Sequence, residues 1–108
     1  MTPYEAGRQF ERRVIEHFQE LGYFAIRSAG SKSKVDVIAI KPHQALFIQC
    51  KRGGQLGPAE WNEFYAIAQR VGAIPLLATY VARKPIVFEQ LMALKDNSRR
   101  VQPKRIWL

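Results

Sequence analysis

KVDVIAIKPHQALFIQCKR, residues 34 to 52, is the stretch whose reading decides the fold. It holds two apolar, β-branched runs, Val35 to Ile40 and Ala45 to Cys50, around Lys41-Pro42-His43-Gln44. That is the pattern of two strands joined by a tight turn. Closing the hairpin with two or four residues pairs Ile40 with Ala45, Ile38 with Phe47 and Asp36 with Gln49. Side chains alternate along a strand, so Asp36 and Gln49 are expected on one face with Cβ atoms roughly 5 Å apart. Lys51, two residues beyond Gln49, points the same way. A carboxylate, an amide and an ammonium thus converge at the open end of an apolar ribbon.

Upstream, Thr2-Pro3-Tyr4-Glu5 is a capping box, with Thr2 at N-cap, Pro3 at N1 and Glu5 at N3. Phe10, Val14, Ile15, Phe18 and Leu21 follow at mostly helical steps, and Gly22 supplies the stop. Glu11 lies along that apolar stripe. It is either a border residue paired with Arg8, Arg12 or Arg13, or a carboxylate that reaches a cavity, since burying it alone costs several kcal/mol, roughly. Tyr23 to Ser28 is the first strand, and Ala29 to Lys34 is a polar loop. In that loop Gly30 and Ser31 allow close approach to a phosphate, with Lys32 and Lys34 adding charge.

Downstream, Arg52-Gly53-Gly54-Gln55-Leu56-Gly57 reads equally as a flexible linker or as a loop that touches DNA through Arg52. Pro58 opens a second helix, ended by Gly72, with Trp61, Phe64, Tyr65, Ala68 and Val71 as its apolar stripe. Those aromatics are assigned to the core rather than to base stacking. Ile74 to Val81 is a buried strand that tolerates Pro75 near its start or at an edge. Ile86 to Phe88 is expected as a further strand, Glu89 to Lys95 as a short helix, and Val101 to Leu108 as an edge strand. The order helix, three strands, helix, strand implies an α/β fold: a mixed β-sheet flanked by helices, with the second helix crossing between parallel neighbours.

The 108 residues suit a single domain, 1–108. No apolar run approaches the ~20 residues of a membrane span, and no secretory h-region precedes the first helix, so no membrane partner is expected. One cysteine excludes an internal disulfide and fits a reducing compartment, the cytoplasm. Cys50 faces away from Gln49 and Lys51 and reads as a small buried hydrophobe. With two histidines and one cysteine, a zinc site is not expected. The net charge of +8, most of it from Asp36 onward, points to a polyanion, nucleic acid before an anionic membrane.

An acid at the start of one strand, with a polar residue and a lysine at i and i+2 on its partner, suits metal-assisted phosphodiester hydrolysis. Asp36 and Glu11 are candidate hard oxygen ligands for Mg2+, with Gln49 adding a carbonyl oxygen. The cation activates a water and polarises the phosphate. Lys51 orients that water or stabilises charge on the phosphorus in the transition state.

These residues also carry a resemblance. An acid, a gap and a strand ending in (Asp/Glu/Gln)-X-Lys resembles the PD-(D/E)XK nuclease superfamily, which has a restriction-endonuclease-like core. More narrowly, the chain is similar to the archaeal-type Holliday junction resolvases. The matching segments are Gly7 to Arg12, Arg27 to Lys32, Val35-Asp36, Gln49-Cys50-Lys51 and the Tyr65 to Tyr80 region with Gly72-Ala73-Ile74-Pro75. The resemblance covers roughly residues 5 to 81. It implies a homodimeric, Mg2+-dependent endonuclease that cuts four-way DNA junctions in symmetrically related strands. It assigns catalytic roles to Glu11, Ser31, Asp36, Gln49 and Lys51, and phosphate contacts to Arg12 and Arg27.

The departure is Gln49, where such resolvases usually carry Glu. One unit-charge pair at ~4 Å is worth roughly 4 kcal/mol at an effective dielectric near 20, so weaker metal binding is expected. Gln-X-Lys versions occur elsewhere in the superfamily, with Mn2+ as an alternative metal here. Two other readings stay open: a restriction- or repair-like nuclease of the superfamily, and a non-catalytic DNA-binding module.

Overall fold

The computed structural model describes residues 1–28, 34–53, 56–81, 83–95, 104–106 and 108. Helix α1 (Pro3–Glu20) starts as its capping residues require: the Glu5 N–H donates to Thr2 Oγ1 at 3.1 Å, and the Thr2 hydroxyl donates to Glu5 Oε1. It ends where Gly22 takes φ 89°, a left-handed conformation open to glycine. Phe10, Val14 and Phe18 form its buried stripe.

Strands β1 (Phe24–Arg27), β2 (Val37–Lys41) and β3 (Gln44–Lys51) form an antiparallel meander. The hairpin closes through two residues, with Lys41 opposite Gln44, Pro42 fixing the first turn position and His43 at φ 63°. Ile40 stands opposite Ala45 and Ile38 opposite Phe47, as the alternation requires. Helix α2 (Pro58–Val71), stopped by Gly72 at φ 72°, crosses to β4 (Ile74–Thr79), which runs parallel to β3. Strands β5 (Val87–Gln90) and β6 (Lys104–Ile106) extend the sheet antiparallel, with β6 at the edge, giving the sheet order β1-β2-β3-β4-β5-β6.

The two helices cover opposite faces. Leu46, Ile48, Leu76 and Ala78 cluster with the α1 stripe, whereas Phe47 and Leu77, their neighbours in sequence, pack with Trp61 and Phe64 of α2. Trp61 and Phe64 are therefore core residues. Phe18, fully buried, contributes roughly 2–3 kcal/mol by removal from water. Among the described residues, no helix is long and apolar enough to cross a membrane.

Two expectations change. Val71 is 61% exposed: seven residues after Phe64 it keeps the stripe's side of α2, but it is the last residue of the helix, beside the Gly72 cap. Residues 89–95 form no helix. Glu89 and Gln90 belong to β5, the Leu91 N–H donates to the Pro75 carbonyl, and Asn62 exchanges two hydrogen bonds with the Lys95 backbone. Tertiary partners fix that backbone against its helical propensity. The expected edge strand at 101–108 is present as β6; Val101 to Pro103 and Trp107 lie outside the described residues.

Candidate active site

Where the hairpin opens, the regular ladder stops. Val37 stands opposite Ile48, but the Asp36 N–H donates to the same Ile48 carbonyl at 2.9 Å. Val35 and Ile38 both pack in the α2 cluster, so the alternation slips by one residue between them, as in a β-bulge. The expected Asp36–Gln49 pairing is thereby replaced. The Asp36 carboxylate reaches past Gln49 and accepts the Cys50 N–H through Oδ2 at 2.8 Å.

That placement brings Asp36 under the influence of Glu11 on α1 and Lys51 on β3. Burial pushes the Asp36 carboxyl above the ordinary aspartate range, with the Cys50 N–H and the Lys51 ammonium pulling it partly back. Glu11 is also pushed up, by burial first and then by the negative charge of Asp36; Arg27 and Arg8 oppose the shift. Arg8 is held by its Nη1 donating to the Tyr4 hydroxyl at 2.7 Å. Burial, Asp36 and Glu11 together push the Cys50 thiol far up, so it stays protonated and unreactive.

Gln49 is buried, and its Oε1 has no hydrogen-bond partner among the described residues. Leaving such an oxygen unsatisfied costs about 1–3 kcal/mol. Two mutually repelling carboxylates and an orphaned carbonyl oxygen are hard donors whose cost a divalent cation relieves, so the residues fit Mg2+ or Mn2+. No cluster of three His, Cys, Asp or Glu side chains occurs among the described residues.

The candidate phosphate contacts divide. Arg12, Arg27 and Arg52 are exposed, and Lys34 Nζ lies 3.9 Å from Glu63 Oε2. Ser31 and Lys32 lie outside the described residues. Arg8, one of the arginines expected beside Glu11, acts on it from one helical turn away. One further group goes unannounced in the sequence. Glu60 lies 3.4 Å from Lys51 Nζ, a contact with no local signal because it depends on how α2 docks.

The raised carboxyls carry a stability consequence. Both hold protons more tightly folded than unfolded, so stability falls as pH rises from their unfolded values through their folded ones. The penalty is absent in acid and complete above the folded pKa values. Asp36→Asn and Glu11→Gln are therefore expected to raise Tm in EDTA at neutral pH and to give no gain at acid pH. Melting curves at both pH values check this; an unchanged or lower neutral Tm for both variants refutes it.

The archaeal Holliday junction resolvase (Hjc) family model matches residues 2–105. The structure is similar to that of Hjc from Archaeoglobus fulgidus, described as a Holliday junction resolvase from an archaeal hyperthermophile. The TM-score is 0.68 at 26% sequence identity, over 77% of this chain and 70% of that one. The six-stranded mixed sheet with a helix on each face is the restriction-endonuclease-like fold.

Proposed function

The chain belongs to the archaeal Holliday junction resolvase family, and we propose that it resolves four-way DNA junctions as a divalent-metal-dependent endonuclease through Glu11, Asp36, Gln49 and Lys51. The observation carrying this reading is the meeting of Glu11, Asp36 and Lys51 at one open strand end, beneath a helix bearing Arg8, Arg12 and Arg13. Glu11 and Asp36 would hold Mg2+ or Mn2+, with Gln49 Oε1 as a neutral third oxygen. A cation there supplies charge neutralisation for the scissile phosphate and acidifies the attacking water.

The chain's own groups do the rest. The Lys51 ammonium donates to the phosphate oxygens as charge builds on them during water attack. Arg12, Arg27, Lys34 and Arg52 fix the strand through its backbone, which gives register without reading sequence. Ser31 takes the catalytic role that the resemblance implies, and Lys32 in the same loop adds positive charge for the phosphate. Departure of the deoxyribose oxygen, which takes a proton from solvent water as its bond to phosphorus breaks, completes hydrolysis of the phosphodiester.

End-labelled four-way junction and linear duplex of the same arms, each with Mg2+ and with EDTA, test the reading. Symmetric nicks on the junction alone, lost in EDTA, are expected. Equal cutting of duplex would move the protein to a broader nuclease role, and tight binding without cutting in Mg2+ or Mn2+ to a non-catalytic one.

Paired cuts need two sites, and we assign the dimer surface to the sheet face that α2 leaves bare beside β1. Phe24, Ile26 and Ile40 stand there, 67%, 42% and 45% exposed, on the face opposite Ala25 and Ala39. Such a contiguous apolar patch is what a partner covers. Phe24→Asp is expected to lower the solution mass from twice 12.4 kDa to one chain and to uncouple the two cuts. A variant still dimeric by light scattering would exclude this surface.

A further inference from the structure

Lys51 has a second acidic neighbour. Besides Asp36, the Glu60 carboxylate approaches its Nζ to 3.4 Å from the first turn of α2. The two acids are held in a fixed relation by the core beneath them. Val35, next to Asp36, and Trp61, next to Glu60, are buried in one cluster with Leu56 and Phe64. At the same place the motif strand carries a neutral amide, Gln49, whose buried Oε1 has no hydrogen-bond partner among the described residues. The motif position thus lacks a negative charge, and a carboxylate from another element stands beside the motif lysine.

We propose that Glu60 is a positioning residue of the active site. It holds the Lys51 ammonium in place and supplies, from α2, the negative charge toward the divalent cation that Gln49 does not supply from β3. This rests on the reading of the site as a divalent-metal nuclease centre. A partly exposed ion pair contributes little to stability on its own. A purely structural role therefore predicts that loss of the Glu60 charge is silent at the metal site.

Mn2+ binding to the DNA-free protein, read from the free-Mn2+ EPR signal, separates the cases without reference to activity. The set is wild type, Glu60→Gln, Glu60→Gln with Gln49→Glu, and Asp36→Ala, with melting curves for each. Glu60→Gln is expected to weaken Mn2+ binding by roughly tenfold, in the range of losses from groups that support metal ligands. Adding Gln49→Glu should restore it, and junction kcat should follow both changes with KM little altered. Wild-type Mn2+ binding by Glu60→Gln, with binding lost in Asp36→Ala, overturns the role of Glu60 and leaves the centre standing. Undiminished binding by Asp36→Ala refutes the metal centre itself. A weakened Glu60→Gln protein that Gln49→Glu does not restore refutes charge replacement, whatever its Tm.

Discussion

Asp36→Ala is expected to end strand cutting, by at least roughly a thousandfold, while four-way junction binding is kept or tightened. Asp36 is the group on which the site's electrostatics converge: it raises the Glu11 carboxyl, and Lys51 acts on it. Removing it leaves Glu11 as the one carboxylate of the assigned donor set, too little charge to hold a divalent cation beside Lys51 and Arg27. Binding behaves differently because a carboxylate repels phosphate, and the exposed arginines proposed as backbone contacts are untouched. The substitution also strips the Cys50 N–H of its acceptor, so Asp36→Asn, which keeps an oxygen there, serves as the structural control. Single-turnover cutting in Mg2+ and gel retardation in EDTA read the two effects separately. Wild-type cutting by Asp36→Ala would remove this centre from the reaction, and loss of both cutting and binding in Asp36→Asn would reduce Asp36 to a structural role.

Asp36 also marks where sequence reading stops. The hairpin register was legible as far as Val37 and Ile48, because a one-residue shift would exchange the side chains packed under α1 for those packed under α2. The next residue breaks that rule. A one-residue slip costs no apolar residue and changes no composition, so nothing in Lys34-Val35-Asp36 announces it. The consequence is chemical: the carboxylate turns to the Cys50 N–H instead of standing opposite Gln49. The same limit explains residues 89–95, whose helix-forming composition yields to β4 and to Asn62, partners invisible in a local window. Glu11, by contrast, was legible as a carboxylate on an apolar stripe, and burial with a second acid is what the structure supplies for it. Glu60 lies on the far side of a glycine-rich connection, and only the burial of Val35 with Trp61 brings it to Lys51.

Lys51→Met is expected to give the opposite pairing of effects: cutting slowed by roughly 10²–10³, with Mn2+ binding unchanged or tighter. The ammonium acts on Asp36 and contacts Glu60, so in the DNA-free protein it occupies the same negative field that a divalent cation seeks. Removing it removes a competitor for the acids while deleting the donor proposed for the phosphate. Without Lys51 the burial of Asp36 is less well compensated, and its carboxyl moves further up. The variant should therefore melt earlier than wild type in EDTA at neutral pH, recover in Mn2+, and match wild type in acid, where the carboxyl is neutral. Mn2+ titration, melting curves and single-turnover cutting on one preparation test all three. Weaker Mn2+ binding by Lys51→Met would show that the lysine organises the acids for the cation rather than competing with it, and the assignment of Lys51 to the phosphate would fall.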